Sequence, residues 1–379
     1  MNKKNLYIMF ILFVYFKPDW LNNITIATYI SQIFLLIKIF VTLYYIPKSI
    51  VLYKINKIDL LIFFFLFSQT FAAFITQTLY LNYIGGQFFL LGLYAFLKYS
   101  LLSNNKGTIE SIFILSFIFI LIQIFTQLLF PHGLNDLYSD GDFREYFLGR
   151  KNATTPYIIL SMGSFYILHK KMNQFLSQYE IGMIILFGTM TFLSRSSTAI
   201  VCYLLFILLR LIGLKENLGK FYTKISFIFY LTITGIIIFS QSAFLTIITS
   251  VLGKDITFSG RVNIWELAIR IFENNFWFGG GLELNYNAWT NGIIVNSAHN
   301  TLLDILSRTG IFAGLFFSLI LLNCIIGKYR IKTKTLITIF LSFLMYTLME
   351  NSSIDIFMLL VTILVYLPLG QEFSDEENT

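Results

Sequence analysis

The stretch NSAHNTLLDILSRTGI, residues 296–311, sets His299 and Asn300 at the polar edge of a long apolar run, and His299 is one of only 3 histidines in the chain. A neutral imidazole, with an ordinary pKa of about 6.5, can take a proton from a hydroxyl near neutral pH if a partner orients the ring; the same ring is also common as a satisfied structural residue. Two arginines point to a second kind of chemistry. Arg195, in TFLSRSSTAIV, lies in a tight polar break between apolar runs. There it is either an interfacial arginine whose head reaches water or a ligand for an anion. Arg261 falls in the first turn of a predicted helix, with Ser259 as its N-cap, where the helix dipole disfavours a cation by about 0.3–1 kcal/mol. An anion bound at that terminus, held by backbone N–H groups and guanidinium together, would reverse the sign. Asn300 reads as the N-cap of a helix starting at Thr301. On that helix Thr301, Asp304 and Arg308 share one face, and Asp304 and Arg308 have the spacing of a structural ion pair.

The elements that must position these residues are membrane helices. Hydrophobic residues make up 56% of the 379, charged residues 12%, and mean hydropathy is +0.73; too little surface charge remains for a water-soluble globule. About twelve apolar runs approach the roughly 20 residues that cross a bilayer: 6–19, 24–46, 59–80, 84–101, 109–130, 152–168, 181–194, 197–213, 223–243, 301–326, 333–349 and 353–370. Continuous Ile, Phe and Leu runs exclude the alternating strands of a membrane barrel. The expectation is an all-α polytopic membrane protein forming one domain over 1–379, with an extracytoplasmic loop at 244–300 and a smaller one at 131–151. Within the larger loop Val262, Trp265, Ala268, Ile269 and Phe272 recur at helical spacing, with Glu266 and Arg270 on another face. This is an amphipathic helix that either lies on the membrane surface or caps the bundle.

Short cytoplasmic loops keep positive charge. With the amino terminus inside, the inner breaks collect Lys3, Lys4, Lys48, Lys54, Lys57, Lys98, Lys106, Lys170, Lys171, Arg210, Lys215, Lys220, Lys224, Lys328, Arg330, Lys332 and Lys334, so both termini are expected in the cytoplasm. The net charge of +7 then reports topology and not nucleic-acid binding. MNKKNLYIMFILFVYF runs into KPDW without a small-residue cleavage site, and the first run is expected to be an anchor. Against the inward bias, Arg144, Arg150, Lys151, Arg195, Lys254, Arg261 and His299 fall together on the outer side.

Several chemistries are set aside. The triplet Gly279-Gly280-Gly281 lacks the Lys-Ser/Thr of a phosphate-binding P-loop, so a tight turn or close backbone approach explains it. Asp136, Asp140 and Asp142 lack the spacing of a calcium loop. Cys202 and Cys324 lie inside apolar runs as packing residues, making neither a disulfide framework nor a metal site. No metal and no cofactor are expected.

Taken in order, LSRSSTAIV, SGRVNIWELAI, FWFGGG and SAHNTLLDILSRTGIFAGLFF resemble the bacterial O-antigen ligase and polymerase superfamily, and within it the capsular and exopolysaccharide repeat-unit polymerases of the Wzy type. FLGRKNATTPYIIL is similar to a segment those polymerases carry after an early outer loop. The resemblance is best over residues 143–325.

The resemblance implies a metal-independent, inverting glycosyltransferase on the outer face of the inner membrane, acting on glycans carried by undecaprenyl diphosphate. It implies that Arg195 and Arg261 hold the lipid diphosphate and that His299 acts at the acceptor. Arg150, Lys151 and Asn152 match a more variable segment. With Ser259, Gly260, Gly279, Gly281 and Asn300 from the other motifs, they make up the substrate-binding candidates. Arginines would stabilise the departing diphosphate, and a positioned base contributes about 10²–10⁴-fold towards a hydroxyl nucleophile. The expected partners are the lipid-linked glycan and the bilayer; the reading also allows a chain-length regulator and a flippase. Two alternatives stand beside it. A ligase would pass finished glycan to lipid A core or protein, and a transporter or flippase would also be a many-helix protein with buried charges, though its charges tend towards the midplane.

Overall fold

The computed structural model describes residues 2–22, 27–134, 144–169, 178–211, 216–239, 261–286, 295–326 and 334–376. Among them thirteen α-helices follow one another: α1 Lys3–Tyr15, α2 Ala27–Tyr53, α3 Lys57–Ile75, α4 Leu81–Ser103, α5 Asn105–Leu129, α6 Thr154–Leu168, α7 Gln178–Leu193, α8 Ser197–Leu211, α9 Glu216–Phe239, α10 Arg261–Asn274, α11 Thr301–Ile326, α12 Lys334–Met349 and α13 Ile354–Glu376. The described part of the chain is all-helical, and each expected apolar run holds one helix.

Five of these helices, α2 to α5 and α11, are long and apolar enough to cross a membrane. Hydropathy alone gives about twelve spans; among the described residues several of the other helices are short for a crossing. A helix rises about 1.5 Å per residue, so α6, with 15 residues, reaches about 22 Å against a hydrocarbon core of about 30 Å. The bundle is inside-out in composition where lipid is expected: Leu36, Phe40, Leu43 and Val51 along α2 are exposed, an apolar surface that water would not tolerate.

Asparagines begin several helices at one end of the bundle. Asn2 caps α1, Asn104 caps α5, and Asn56 with Asp59 forms a reciprocal capping box at α3. In the packing α2 lies on α4, α5 on α6, α13 on α4, α11 on α3, and α12 on α8 and α6. The α3, α11, α12 and α13 faces meet through the rings of Phe65, Phe317, Phe343 and Phe357. Cys202 and Cys324 are buried and unbonded.

Of the expected outer loop, only 261–286 and 295–300 are described. The amphipathic segment is α10, and it caps α11: Trp265, Ala268 and Ile269 pack with Tyr286, Ala298 and Leu303 in a small separate core. Ser259, Gly260, Lys254, Asp136, Asp140 and Asp142 lie outside the described residues.

Candidate active site

α12 ends at Met349, and the next residue, Glu350, still donates its N–H to Tyr346 O (2.9 Å); the turn that follows is fixed to the start of α11. Thr301 Oγ1 donates to Glu350 O (2.9 Å) and accepts from Ser352 N (2.9 Å). This leaves the Glu350 carboxylate, 8% exposed, in the middle of four elements. Oε1 accepts from Asn152 Nδ2 (2.6 Å), Arg261 Nη2 (2.6 Å) and Thr198 Oγ1 (3.2 Å). Oε2 lies 3.0 Å from His299 Nδ1. Burial pushes the Glu350 carboxyl up, but the His299 hydrogen bond and the Arg261 charge outweigh it and hold the group below the usual carboxylate value.

The tautomer of His299 follows. An ionised carboxylate only accepts hydrogen bonds, so the proton on neutral His299 sits on Nδ1 and the Nε2 lone pair is available. The backbone places the ring at some cost: His299 has φ +48°, left-handed for a residue with a Cβ, a conformation costing on the order of 1–3 kcal/mol that persists only where the surroundings dictate it. They do so on both sides. Asn300 caps α11 through Leu303 N→Asn300 Oδ1 (3.0 Å), and Ala298 N donates to Asp304 Oδ1 (2.8 Å) while Ala298 O accepts from Trp265 Nε1 (2.8 Å).

Asp304 and Arg308 are the predicted ion pair, at 3.1 Å, and they brace the loop. Asp304 also accepts from Asn351 Nδ2 (2.9 Å) and from Tyr286 OH (3.3 Å). Arg308 donates to the carbonyls of Leu282, Leu284 and Asn296. The glycine triplet docks on the same helix: Gly280 N donates to Ser307 O (2.8 Å) and Gly281 N to Arg308 O (3.0 Å). A Cβ on Gly279 would lie 2.3 Å from the Arg308 carbonyl carbon, and one on Gly310, where α11 leaves helical geometry, 2.2 Å from Trp277 O. Gly279 and Gly281, both candidates for substrate, thus face protein backbone and the Thr76 and Thr78 side chains, and close approach accounts for the triplet.

The arginines are divided between two settings. Arg261 begins α10 and spends its guanidinium on Glu350 and on Met349 O, so the cation in an unfavourable first turn is met by a carboxylate of the protein itself. Arg195 is different. It is exposed, has φ +53°, and its guanidinium has no hydrogen-bond or ion-pair partner among the described residues. It lines a cavity of about 570 Å³ together with Arg144, Lys151, Tyr146, Gln127 and Ser194. Arg144 donates to Pro131 O (2.7 Å); Arg150, exposed, does not line this cavity.

The cationic cavity and the Glu350 clasp are adjoining parts of one region. Ser196, next to Arg195, caps α8 by accepting from Ala199 N (3.1 Å) and donates to Asn152 Oδ1 (2.8 Å). Asn152, next to Lys151, donates in turn to Glu350. Side chains from six stretches of chain, 151–152, 195–198, 261, 299–301, 308 and 350–352, therefore meet at one end of the bundle. Residues 182–318 match the family model Wzy_C, O-antigen ligase. The match makes this stretch similar to the O-antigen ligase family, and it covers Arg195, Arg261 and His299. No curated protein and no solved structure matches the chain.

Glu350 itself lies beyond the matched stretch, as do Lys151 and Asn152, and a tally of outer-face cations passes over it. The signal was present: an acidic residue in MENSS, between two apolar runs, at the break expected on the same face as His299. Thr198 and Ser196 sit inside the motif around Arg195, but short hydroxyl side chains give no sequence pattern that separates a ligand from a helix cap.

Proposed function

We propose that the protein is a polysaccharide polymerase, joining undecaprenyl-diphosphate-linked oligosaccharide repeat units into capsule, exopolysaccharide or O-antigen on the outer face of the cytoplasmic membrane. One observation carries the reading: Glu350 ties the candidate base His299 to Arg261 and, through Asn152 and Ser196, to the cavity where Arg195 has no partner.

In this reading the acceptor hydroxyl oxygen attacks the anomeric carbon of the donor as the bond from that carbon to the diphosphate oxygen breaks. The hydroxyl proton passes to His299 Nε2, and ionised Glu350 stabilises the resulting imidazolium through Nδ1–H. The leaving diphosphate gains charge in front of Arg195, with Lys151 and Arg144 in the same cavity. A guanidinium carries five N–H donors, so Arg261 keeps others for a phosphate oxygen while it holds Glu350 in place. In-line displacement inverts the anomeric centre and releases undecaprenyl diphosphate, with positive charge supplied by side chains and no metal. The Lys and Arg distribution supports twelve spans with both termini in the cytoplasm, which puts this end of the bundle outside.

A second reading is favoured by the matched family's own description: a ligase that transfers finished glycan to lipid A core or protein. Purified protein given a lipid-diphosphate repeat unit, with and without lipid A core, separates the two. Lengthening into a ladder is the expected result; transfer to core without lengthening overturns the polymerase reading.

A further inference from the structure

A second cavity, of about 280 Å³, opens beside the clasp. Its lining includes Thr301, two residues after His299, and Asn351, directly after Glu350; no residue lines both cavities. The candidate base is thus two residues from the lining of this cavity and is linked through Glu350 and Asn152 to the neighbour of Lys151 in the lining of the other; a transfer between two substrates needs two subsites meeting at one base.

The lining narrows the occupant. Gln69, on α3, is 4% exposed, and its amide oxygen has no hydrogen-bond partner among the described residues. A buried amide oxygen left dry is costly, on the order of 1–3 kcal/mol, which calls for a donor in the occupant and speaks against an acyl chain. An anion is also disfavoured, because Asp304 lines the cavity and Arg308 is already engaged by Asp304 and backbone carbonyls. What remains is a neutral group with hydroxyl donors. Tyr80 and Tyr83, with ring centroids 6.0 Å apart, stand in the lining as apolar faces with polar tips. The volume exceeds by several times the roughly 30 Å³ of a liquid water.

We propose that this cavity receives a sugar ring of the acceptor glycan, with Gln69 accepting from a ring hydroxyl and Tyr80 covering a face. The assignment rests on the glycan-transfer reading above and goes further by naming the residues that hold the acceptor. Gln69→Leu removes the acceptor atom at similar size, and Tyr80→Ala alters a half-exposed position that leaves the core intact. The probe is the repeat-unit oligosaccharide freed from its carrier by mild acid, titrated calorimetrically into purified protein; undecaprenyl diphosphate is titrated separately to verify that each variant is folded. Loss of one such polar or stacking contact weakens sugar binding by about tenfold, with carrier binding unchanged. Wild-type oligosaccharide affinity in both variants, or no binding by the wild type, overturns the assignment. Elongation of lipid-linked units is followed in the same preparations. Oligosaccharide bound as expected but never elongated overturns the polymerase reading and keeps the cavity's role.

Discussion

Two carboxylates, Asp59 partly buried and Glu350 buried, sit at opposite ends of this bundle, and they have been given different company. At the end where α3 begins, Asp59 accepts from Lys98 Nζ (2.7 Å), Tyr94 OH (2.5 Å), Tyr366 OH (2.6 Å) and Asn56 N (2.8 Å). Lys98 donates further to Lys54 O (2.9 Å), and the two tyrosine hydroxyls lie 2.8 Å apart. Every donor is internal, and the Lys98 side chain is only 4% exposed. Glu350 also gathers a cation and several donors, but one of them, His299, is 27% exposed and holds a free lone pair on Nε2. Both networks satisfy a buried charge, as burial requires. Only the second includes a partly exposed imidazole, with a guanidinium in the adjoining cavity that has no partner among the described residues and with two residues of the neighbourhood, His299 and Arg195, at positive φ. On the proposed function, one is a clasp for the fold and the other a clasp for a base.

The largest effect should come from His299→Ala. Removing a positioned base costs about 10²–10⁴-fold, so the variant should insert and accumulate normally while lipid-linked single repeat units pile up in cells. A normal polymer ladder would take His299 out of the chemistry and leave Glu350 as merely structural. Asp59→Ala probes the other carboxylate and should have the opposite signature. Leaving Lys98 buried without its partner costs about 3–5 kcal/mol of stability, read as a lowered denaturation midpoint in detergent, with turnover per folded molecule unchanged. Loss of turnover at full stability would erase the distinction between the two ends.

How much of this was legible in the sequence depends on what each residue needed in order to be noticed. His299 and Arg195 stood out because a polar residue at the border of an apolar run costs free energy that something must offset. The Asp304 and Arg308 pair was readable from helical spacing alone, and α10 from its apolar periodicity. Glu350 was not, because its role is defined by Asn152, Thr198, Arg261 and His299, at separations of 51 to 198 residues; no local pattern encodes contacts that only the packing of α6, α8, α10 and α11 against α12 creates. The same holds for Gln69, which reads in sequence as one polar residue among many on α3. For the glycine triplet the sequence allowed a tight turn or a close approach, and only the structure could say what is approached.

Glu350→Gln sharpens the comparison at smaller amplitude. A partner that orients an imidazole through its second nitrogen is worth about 10–100-fold, expected here in kcat more than in KM, because the amide no longer fixes Nδ1–H or stabilises the imidazolium. The variant also carries a pH signature. With the folded carboxyl below its ordinary value of 4.5, the clasp contributes its stability above that value and loses it as pH falls through the folded pKa. Wild-type midpoints should therefore drop on that acid limb, and those of Glu350→Gln should drop less. Parallel limbs would mean that Glu350 is not the group being titrated.

The smallest expected change is none. If Arg195, Arg261 and their neighbours supply the positive charge that receives the departing diphosphate, polymerisation in isolated membranes should survive EDTA, since guanidinium groups bear their charge at any working pH and need no ion to be loaded. An enzyme that instead bridged the diphosphate through a divalent cation would lose activity on chelation and regain it when the ion is restored. That outcome would move the anion-binding role from the exposed arginine to a metal held by acidic side chains. Among the described residues no group of three or more His, Cys, Asp or Glu is arranged to hold one. Arg195→Lys separates the cases: a lysine keeps the charge but not the forked donor geometry, so under the arginine scheme it should lower turnover more than it lowers carrier binding.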